Sequence, residues 1–425
     1  MAKKLLWIFV GAFVVRLILS FVVSHPDINN HIDWGIRFWE YGPAKFFAPE
    51  TNIWSYTWPN QPPGSLYMFA GIRKLFEFVF GLFWFVNVKV PAFPSVIITF
   101  FESNLYPALL KLPSIVSDIG IGVLIYKIIL LLDIKNKEKK AFWAAVVWLV
   151  NPVVWYNSAV WGQTDAIINF LALGSFYFLF KRRVVPAIFL ILLSFYVKVS
   201  LTIFLPVFAI VVLRQKYKIA DLLKGAAIPL AVIGLATLPF SRGEPFGWLV
   251  NLYQTKILGQ QLQIITANAF NVWAAIAGIH EQPQALLLGP LSYQAWGIIL
   301  FAVSYFPLLY MVWKKQDAGS VVVALALTAF SSWMLLTNMH ERYLYPLFPY
   351  LTILAGAGLV SLPSYILISF LNLLNLYNFW WVPEIGVIKS FLSFGNRVMP
   401  RILGLVNFGL FVQLYFHLTK SVKAK

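Results

Sequence analysis

SHPDINNHIDWGIRFWEYGPAKFFAPETNIWSYTWPNQPPGS, residues 24–65, is a polar loop in a chain otherwise built mostly of apolar runs. MAKKLLWIFVGAFVVRLILSFVV, residues 1–23, precedes it. A bilayer-crossing helix needs about 20 apolar residues, so the change of character at Ser24 sets the fold: residues 5–23 cross a membrane and residues 24–65 are left on its far side. The loop holds Asp27, Asp33, Glu40, Glu50, His25 and His31, in a chain with only 16 Asp and Glu and five His. Carboxylates, imidazoles, tryptophans and prolines gathered beside lipid-soluble segments mark the place to look for chemistry.

Composition supports an all-α polytopic membrane protein. Of the 425 residues 60% are hydrophobic and 12% charged, against about 25% charged in soluble domains. Cysteine is absent, which removes disulfides and thiolate metal sites. The net charge of +17 comes from short Lys and Arg clusters between apolar runs. That is the pattern of orientation signals and headgroup contacts, not of a nucleic-acid groove. The N-terminus resembles a signal peptide, but Arg16 interrupts its apolar run and it reads as a retained first helix, with Arg16 turned toward the bundle because a lipid-facing charge is costly.

The positive-inside rule orients about twelve spans: 5–23, 108–132, 141–157, 166–180, 184–197, 199–213, 222–240, 293–313, 318–337, 347–362, 363–380 and 402–417. NKEKK (136–140), KRR (181–183), RQKYK (214–218) and Lys314–Lys315 then lie inside. Residues 66–86 carry Arg73, Lys74 and Glu77 and read as an interfacial amphipathic helix, followed by a loop punctuated by Pro91, Pro94 and Pro107. Residues 241–291 form a long outer segment rich in Gln and Asn. Polar motifs fall on the outer side and basic clusters on the inner side, so function faces outward, or into a lumen.

Several outer motifs carry candidate chemistry. Asp27 and Asp33 suit a general base or helix caps. Asn60 and Gln61 in WPNQPPGSLY offer neutral hydrogen-bond groups for sugar hydroxyls, or simply sit in a rigid turn. Asp118 in KLPSIVSDIG (111–120) is an acid inside a span, functional by default or a partner of Arg16 or a serine. NPVVWYNSAVWGQTD (151–165) places Asn151, Gln163 and Asp165 at an outer turn. Lys198, between two apolar runs, needs an anion, either Asp165 or a lipid phosphate. In NMHERYLYP (338–346), His340, Glu341, Arg342 and Tyr345 combine phosphate-binding chemistry with an interfacial anchor. Sugar transfer from a lipid phosphate calls for this set: a carboxylate for the acceptor proton, cations for the departing phosphate, and a membrane fold for the lipid.

Taken in order, Asp27 with Trp34 seven residues on, GPAKFF, PPGSLY, KLPSIVSD, NPxxWxxSxxWGQxD, a lysine before the next apolar run and HERYLYP resemble the GT-C superfamily of polytopic glycosyltransferases that use polyprenyl-phosphate sugars. Within it the chain is similar to the dolichyl-phosphate-glucose-dependent glucosyltransferases and prokaryotic mannosyltransferase-like relatives, over roughly residues 1–350. The resemblance implies an inverting hexosyltransferase of a prokaryotic cell membrane with its site outside, or of the endoplasmic reticulum with a lumenal site. The donor would be a polyprenyl-phosphate hexose and the acceptor a lipid-linked glycan or glycolipid. It implies Asp27 as base, with Lys198, His340 and Arg342 on phosphate or sugar. Where the glucosyltransferase relatives carry a second aspartate before the paired prolines, this chain has Asn60. The base role then passes to Asp27, or to Asp33. No metal or cofactor is expected. The expected fold is GT-C, with about twelve transmembrane helices and a helical first outer loop; the expected division is a catalytic module over 1–350, its outer loop 24–107 carrying interfacial helices, and further transmembrane helices over 351–425. Rival readings are a flippase of lipid-linked sugars and a polymerase or ligase using diphosphate-linked donors.

Overall fold

A computed structural model describes residues 2–48, 51, 55–259 and 261–423; Glu50 lies outside them. The protein is all-α apart from a short antiparallel hairpin, β1 (Leu287–Leu288) and β2 (Leu291–Ser292). α1 (Ala2–Val22) fills the first apolar run, and Arg16 on it is buried within the bundle. The first polar loop is itself helical. α2 (Ile28–Tyr41) buries Ile28, His31, Trp34 and Phe38, a spacing that puts them on one face. Gly42, at φ +70°, ends α2, and α3 (Pro43–Phe46) follows.

The paired prolines open α4 (Pro63–Lys89): Pro63 occupies its first position, where a missing N–H costs nothing. Gly64 is required there, because a Cβ would meet the Tyr196 carbonyl oxygen at 2.5 Å. On α4, Glu77 is paired with Arg73 at 2.9 Å and with Lys74 at 2.7 Å. Leu66 and Phe69 from α4, Trp34 and Phe38 from α2, Phe46, Phe240 and Leu252 form a satellite core under the first loop. The loop expected to run through Pro107 ends sooner. α5 (Val96–Leu131) begins eleven residues before it and carries Pro107 and Pro113 within its 36 residues. Each proline removes one N–H, and neighbouring groups in a helical bundle absorb the resulting bend.

α6 (Lys137–Val150) and α7 (Pro152–Trp155) lead into a π-helical turn, Tyr156–Trp161. Then come α8 (Asp165–Phe180), α9 (Val184–Val197), a 3-10 stretch Val199–Phe204, α10 (Leu205–Arg214), α11 (Ile219–Ser241), α12 (Pro245–Leu252) and α13 (Val272–Ala277). After the hairpin, α14 (Tyr293–Lys314) and α15 (Ala318–Leu335) are followed by a 3-10 turn, Glu341–Leu344. α16 (Leu347–Ala357), α17 (Leu362–Tyr377) and α18 (Gly386–Lys423) complete the chain, α18 being broken by left-handed residues at Gly395, Asn396 and Arg397.

Among the described residues six helices are long and apolar enough to cross a membrane: α1, α5, α11, α14, α15 and α18. Four shorter apolar stretches accompany them: α8, α9, residues 199–214 and α17. This is the make-up of a multi-pass membrane protein. Sixteen residues of α8 reach about 24 Å at 1.5 Å each, against about 30 Å of hydrocarbon. α15 is apolar all round and buried along its length, as expected for a central helix. One continuous core runs from Ile121 to Val422, so residues 351–422 pack into the same core as those before them.

Candidate active cleft

The candidate residues belong to segments far apart in sequence, and several of them line one cleft of about 660 Å³. Asp27, Asn60, Gln61, Gln163, Lys198, His340, Glu341 and Arg342 all face it. Its lining residues come from segments that the charge pattern assigns to the outer side or from the outer ends of spans, such as Val199 and Trp380. A second, smaller cavity is lined by Asp133, Lys315, Asp317, Leu359 and Ser421, all in or beside segments assigned to the inner side.

Asp27 precedes α2 on the turn leaving α1. Its backbone N–H donates to His25 Nδ1 at 3.1 Å. The His25 ring stacks on Trp161, centroids 4.1 Å apart, and lies 4.5 Å from Trp380. Burial drops the His25 imidazole to about 3, despite the attraction of Asp27, so it stays neutral and Nδ1 keeps the lone pair that receives the Asp27 N–H. One oxygen of Asp27 is fully engaged: Oδ2 accepts from Trp161 Nε1 and from Gln163 Nε2, each at 3.0 Å, and lies 4.0 Å from Arg342 Nη1. Among the described residues nothing bonds to Oδ1. The side chain remains 22% exposed.

The π-helical turn makes this possible. Its wider coil ends at Gly162, φ +79°, where a Cβ would meet Ile28 Cδ1 at 2.6 Å and Lys111 Cγ at 3.0 Å. The chain therefore turns tightly enough to aim Trp161 and Gln163 at the same atom. Lys111 holds the neighbouring end of α1 by donating to the carbonyls of Ser20 and Val23, a cation where a helix presents unpaired carbonyls.

Opposite Asp27, Lys198 Nζ is paired with Asp165 Oδ1 at 2.7 Å, the partner considered from sequence. Burial lowers the Lys198 ammonium from its ordinary value, and Asp165 resists that shift. Arg342 is paired with Glu341 at 3.1 Å. Burial works against its charge, but Glu341, Tyr343, Asp27 and Asp165 together hold the guanidinium above its usual range. Burial raises the Glu341 carboxyl, with Arg342 opposing. The Tyr343 ring lies against both cations, 5.9 Å from Lys198 Nζ and 5.6 Å from Arg342 Cζ. His340 was grouped with the cations from sequence. Burial, then Arg342 and Lys198, push its imidazole well below 6.5, so it is a neutral donor or acceptor.

Three candidates, Asp33, Tyr345 and Asp165, do not line the cleft. Asp33 is held by Arg37 at 2.8 Å and by the backbone and hydroxyl of Ser55, and does not line the cleft. Tyr345 donates its hydroxyl at 2.6 Å to Asp118 in the bundle interior. Asp165 stands behind Lys198 rather than in the lining. Among the described residues, the buried atoms in or beside the cleft without a hydrogen-bond partner include Gln61 Oε1, Asp165 Oδ2 and Arg342 Nε. Among the described residues no group of three or more His, Cys, Asp or Glu could hold a metal ion.

The cleft also uses residues that sequence reasoning did not single out. Phe379 and Trp380 close one side, and Gln261, Glu281 and Arg397 line it further. Phe379 sits at φ +79°, unusual for an aromatic residue. The Trp380–Trp381 pair and the Gln- and Asn-rich stretch 241–291 were the available signals. Comparison with protein-family models and with curated proteins finds no match for this chain.

Proposed function

We propose that the protein is an inverting glycosyltransferase with a GT-C fold and about twelve spans, α6, α8, α9, α10, α16 and α17 being short crossings. It moves a hexose, mannose or glucose, from a polyprenyl-phosphate carrier to a glycan or glycolipid acceptor on the outer or lumenal side. One observation carries this reading: a carboxylate with one free oxygen shares a cleft with two partly buried cations, on a chain made for lipid. Asp27 Oδ1 takes the proton of the acceptor hydroxyl as that oxygen attacks the anomeric carbon. The bond from the anomeric carbon to the phosphate oxygen breaks, and its electron pair leaves with polyprenyl phosphate. Lys198 and Arg342 neutralise the charge that develops there. Neutral His340 and the amides of Asn60 and Gln61 bond sugar hydroxyls. Asp33, occupied by Arg37 and Ser55, shapes the loop.

The purified full-length chain is tested for transfer of labelled mannose or glucose from polyprenyl-phosphate carriers. Product and polyprenyl phosphate are expected from the parent protein, with a loss of about 10²–10⁴-fold in Asp27→Asn. A fully active Asp27→Asn removes the base. Transfer only from diphosphate carriers replaces the donor class.

A further inference from the structure

A second carboxylate, Asp118 on α5, is completely buried and takes no part in this chemistry. Both its oxygens are occupied. Tyr345 Oη donates to Oδ1 at 2.6 Å. Ser158 Oγ donates to Oδ2, and Arg16 Nε lies 3.4 Å from the same oxygen. Trp148 Nε1 donates to the backbone carbonyl of Asp118 at 2.8 Å. Arg16 is fixed in turn by the carbonyl of Leu149, at 2.9 Å from Nη2.

Two of these donors lead straight to the cleft. Ser158 belongs to the π-helical turn that presents Trp161, with Gln163 just after it. Tyr345 follows the 3-10 turn that presents Glu341 and Arg342. Trp161, Gln163 and Arg342 are the three groups that gather on Asp27 Oδ2. The two segments meet twice, at Asp27 in the cleft and at Asp118 beneath it.

We infer that Asp118 is a positioning residue, which ties the turn 156–161 to the turn 341–345 from below, so that both arms close on one oxygen of Asp27 and leave the other to the ligand. A carboxylate suits the task because its two oxygens accept from an alcohol, a phenol and a guanidinium together. An amide supplies one acceptor oxygen and turns an NH₂ toward a donor. An ion pair serving stability alone would need Arg16 and no link to either turn. The inference rests on Asp27 as the base, but the coupling itself is measurable without turnover.

The test is backbone hydrogen exchange on the full chain in nanodiscs, with kinetics on the same samples. Asp118→Asn is expected to speed exchange on the order of tenfold in both 156–163 and 340–346, with α11 unchanged. Tyr345→Phe is expected to loosen only 340–346, and Ser158→Ala only 156–163; these two milder variants keep the test open should Asp118→Asn fail to fold. In transfer from polyprenyl-phosphate hexose, Asp118→Asn should lose about 10–100-fold, in kcat more than in KM. Parental exchange in both turns, or faster exchange spread equally through α11, overturns the inference. A parent protein that transfers no sugar yet shows the split pattern removes the base assignment and leaves the tie standing.

Discussion

Asp27 and Asp118 are two aspartates served by the same two segments of chain. Trp161, Gln163 and Arg342 gather on Asp27, and Ser158 and Tyr345 on Asp118, where Arg16 from α1 joins them; the two differ in what is left over. Asp118 has both oxygens satisfied and no exposure. Asp27 has one oxygen crowded and the other open to a cleft. A satisfied buried carboxylate fixes structure, while a half-satisfied one at a cavity has a lone pair to spend on a proton. Burial and residual valence separate the two roles; residue type does not.

The sharpest break of this comparison exchanges the penalties. Asp27→Asn should leave the unfolding midpoint in detergent nearly unchanged while transfer falls as stated above, because the amide still accepts from Trp161 and Gln163. Arg16→Met should do the reverse, costing about 3–5 kcal/mol of stability by stranding a buried charge. The double variant Arg16→Met with Asp118→Leu should regain part of that stability, since the stranded charge is gone but the buried Tyr345 hydroxyl loses its acceptor. It should lose the transfer that Arg16→Met keeps, because no carboxylate then ties the two turns. Unfolding midpoints and rates of the three proteins decide the matter.

Next in size, Lys198→Met should reduce transfer by about 10²-fold by removing a cation from the leaving phosphate. Polyprenyl-phosphate binding, measured directly, should weaken with it. Unchanged binding would detach Lys198 from the donor.

A smaller effect is expected from pH. His25 is held at about 3 in the folded protein against 6.5 when free. Between those values the unfolded chain binds the extra proton, so this stability is present above pH 6.5 and is lost as pH falls toward 3. Glu341, raised by burial, contributes with the opposite sign. The informative quantity is therefore the difference between parent and His25→Gln: the parent's unfolding midpoint should drop more steeply below pH 6.5. Smallest of all, Asp33→Asn should cost no more than about 1 kcal/mol, as for a partly exposed pair, and should leave transfer at the parental rate.

Much of the helical framework was legible from apolar runs. The run 184–197 is α9 to the residue, and 293–313 is α14 less one residue. Arg16 facing inward follows from the cost of isolated charge among apolar side chains, which leaves Arg16 or a serine as structural partners for Asp118 and Asp165 or a lipid phosphate for Lys198; Asp118 meets both Arg16 and Ser158, and Lys198 meets Asp165. Less legible was whatever depends on tertiary contact. Within the 24–65 loop, residues 29–40 read as the start of a helix, and α2 spans Ile28–Tyr41; its polar residues hide the face of Ile28, Trp34 and Phe38 that pairs with α4. Pro107 suggested a break that packing overrides. The π-helical turn has no sequence period of its own, yet it aims Trp161 at Asp27. Trp380 and Arg397 lie outside the motifs, and only the fold brings α17 and α18 back over the first loop.

The central claim is that Asp27 Oδ1 faces a sugar whose phosphate rests on Lys198 and Arg342. A structure of the protein with a bound polyprenyl-phosphate hexose tests it most directly. The account predicts phosphate oxygens within hydrogen-bond distance of both cations, and the face of the anomeric carbon opposite the phosphate turned toward Asp27 with room for one hydroxyl. A phosphate bound away from Lys198 and Arg342, or a leaving bond on the same side as Asp27, would contradict it.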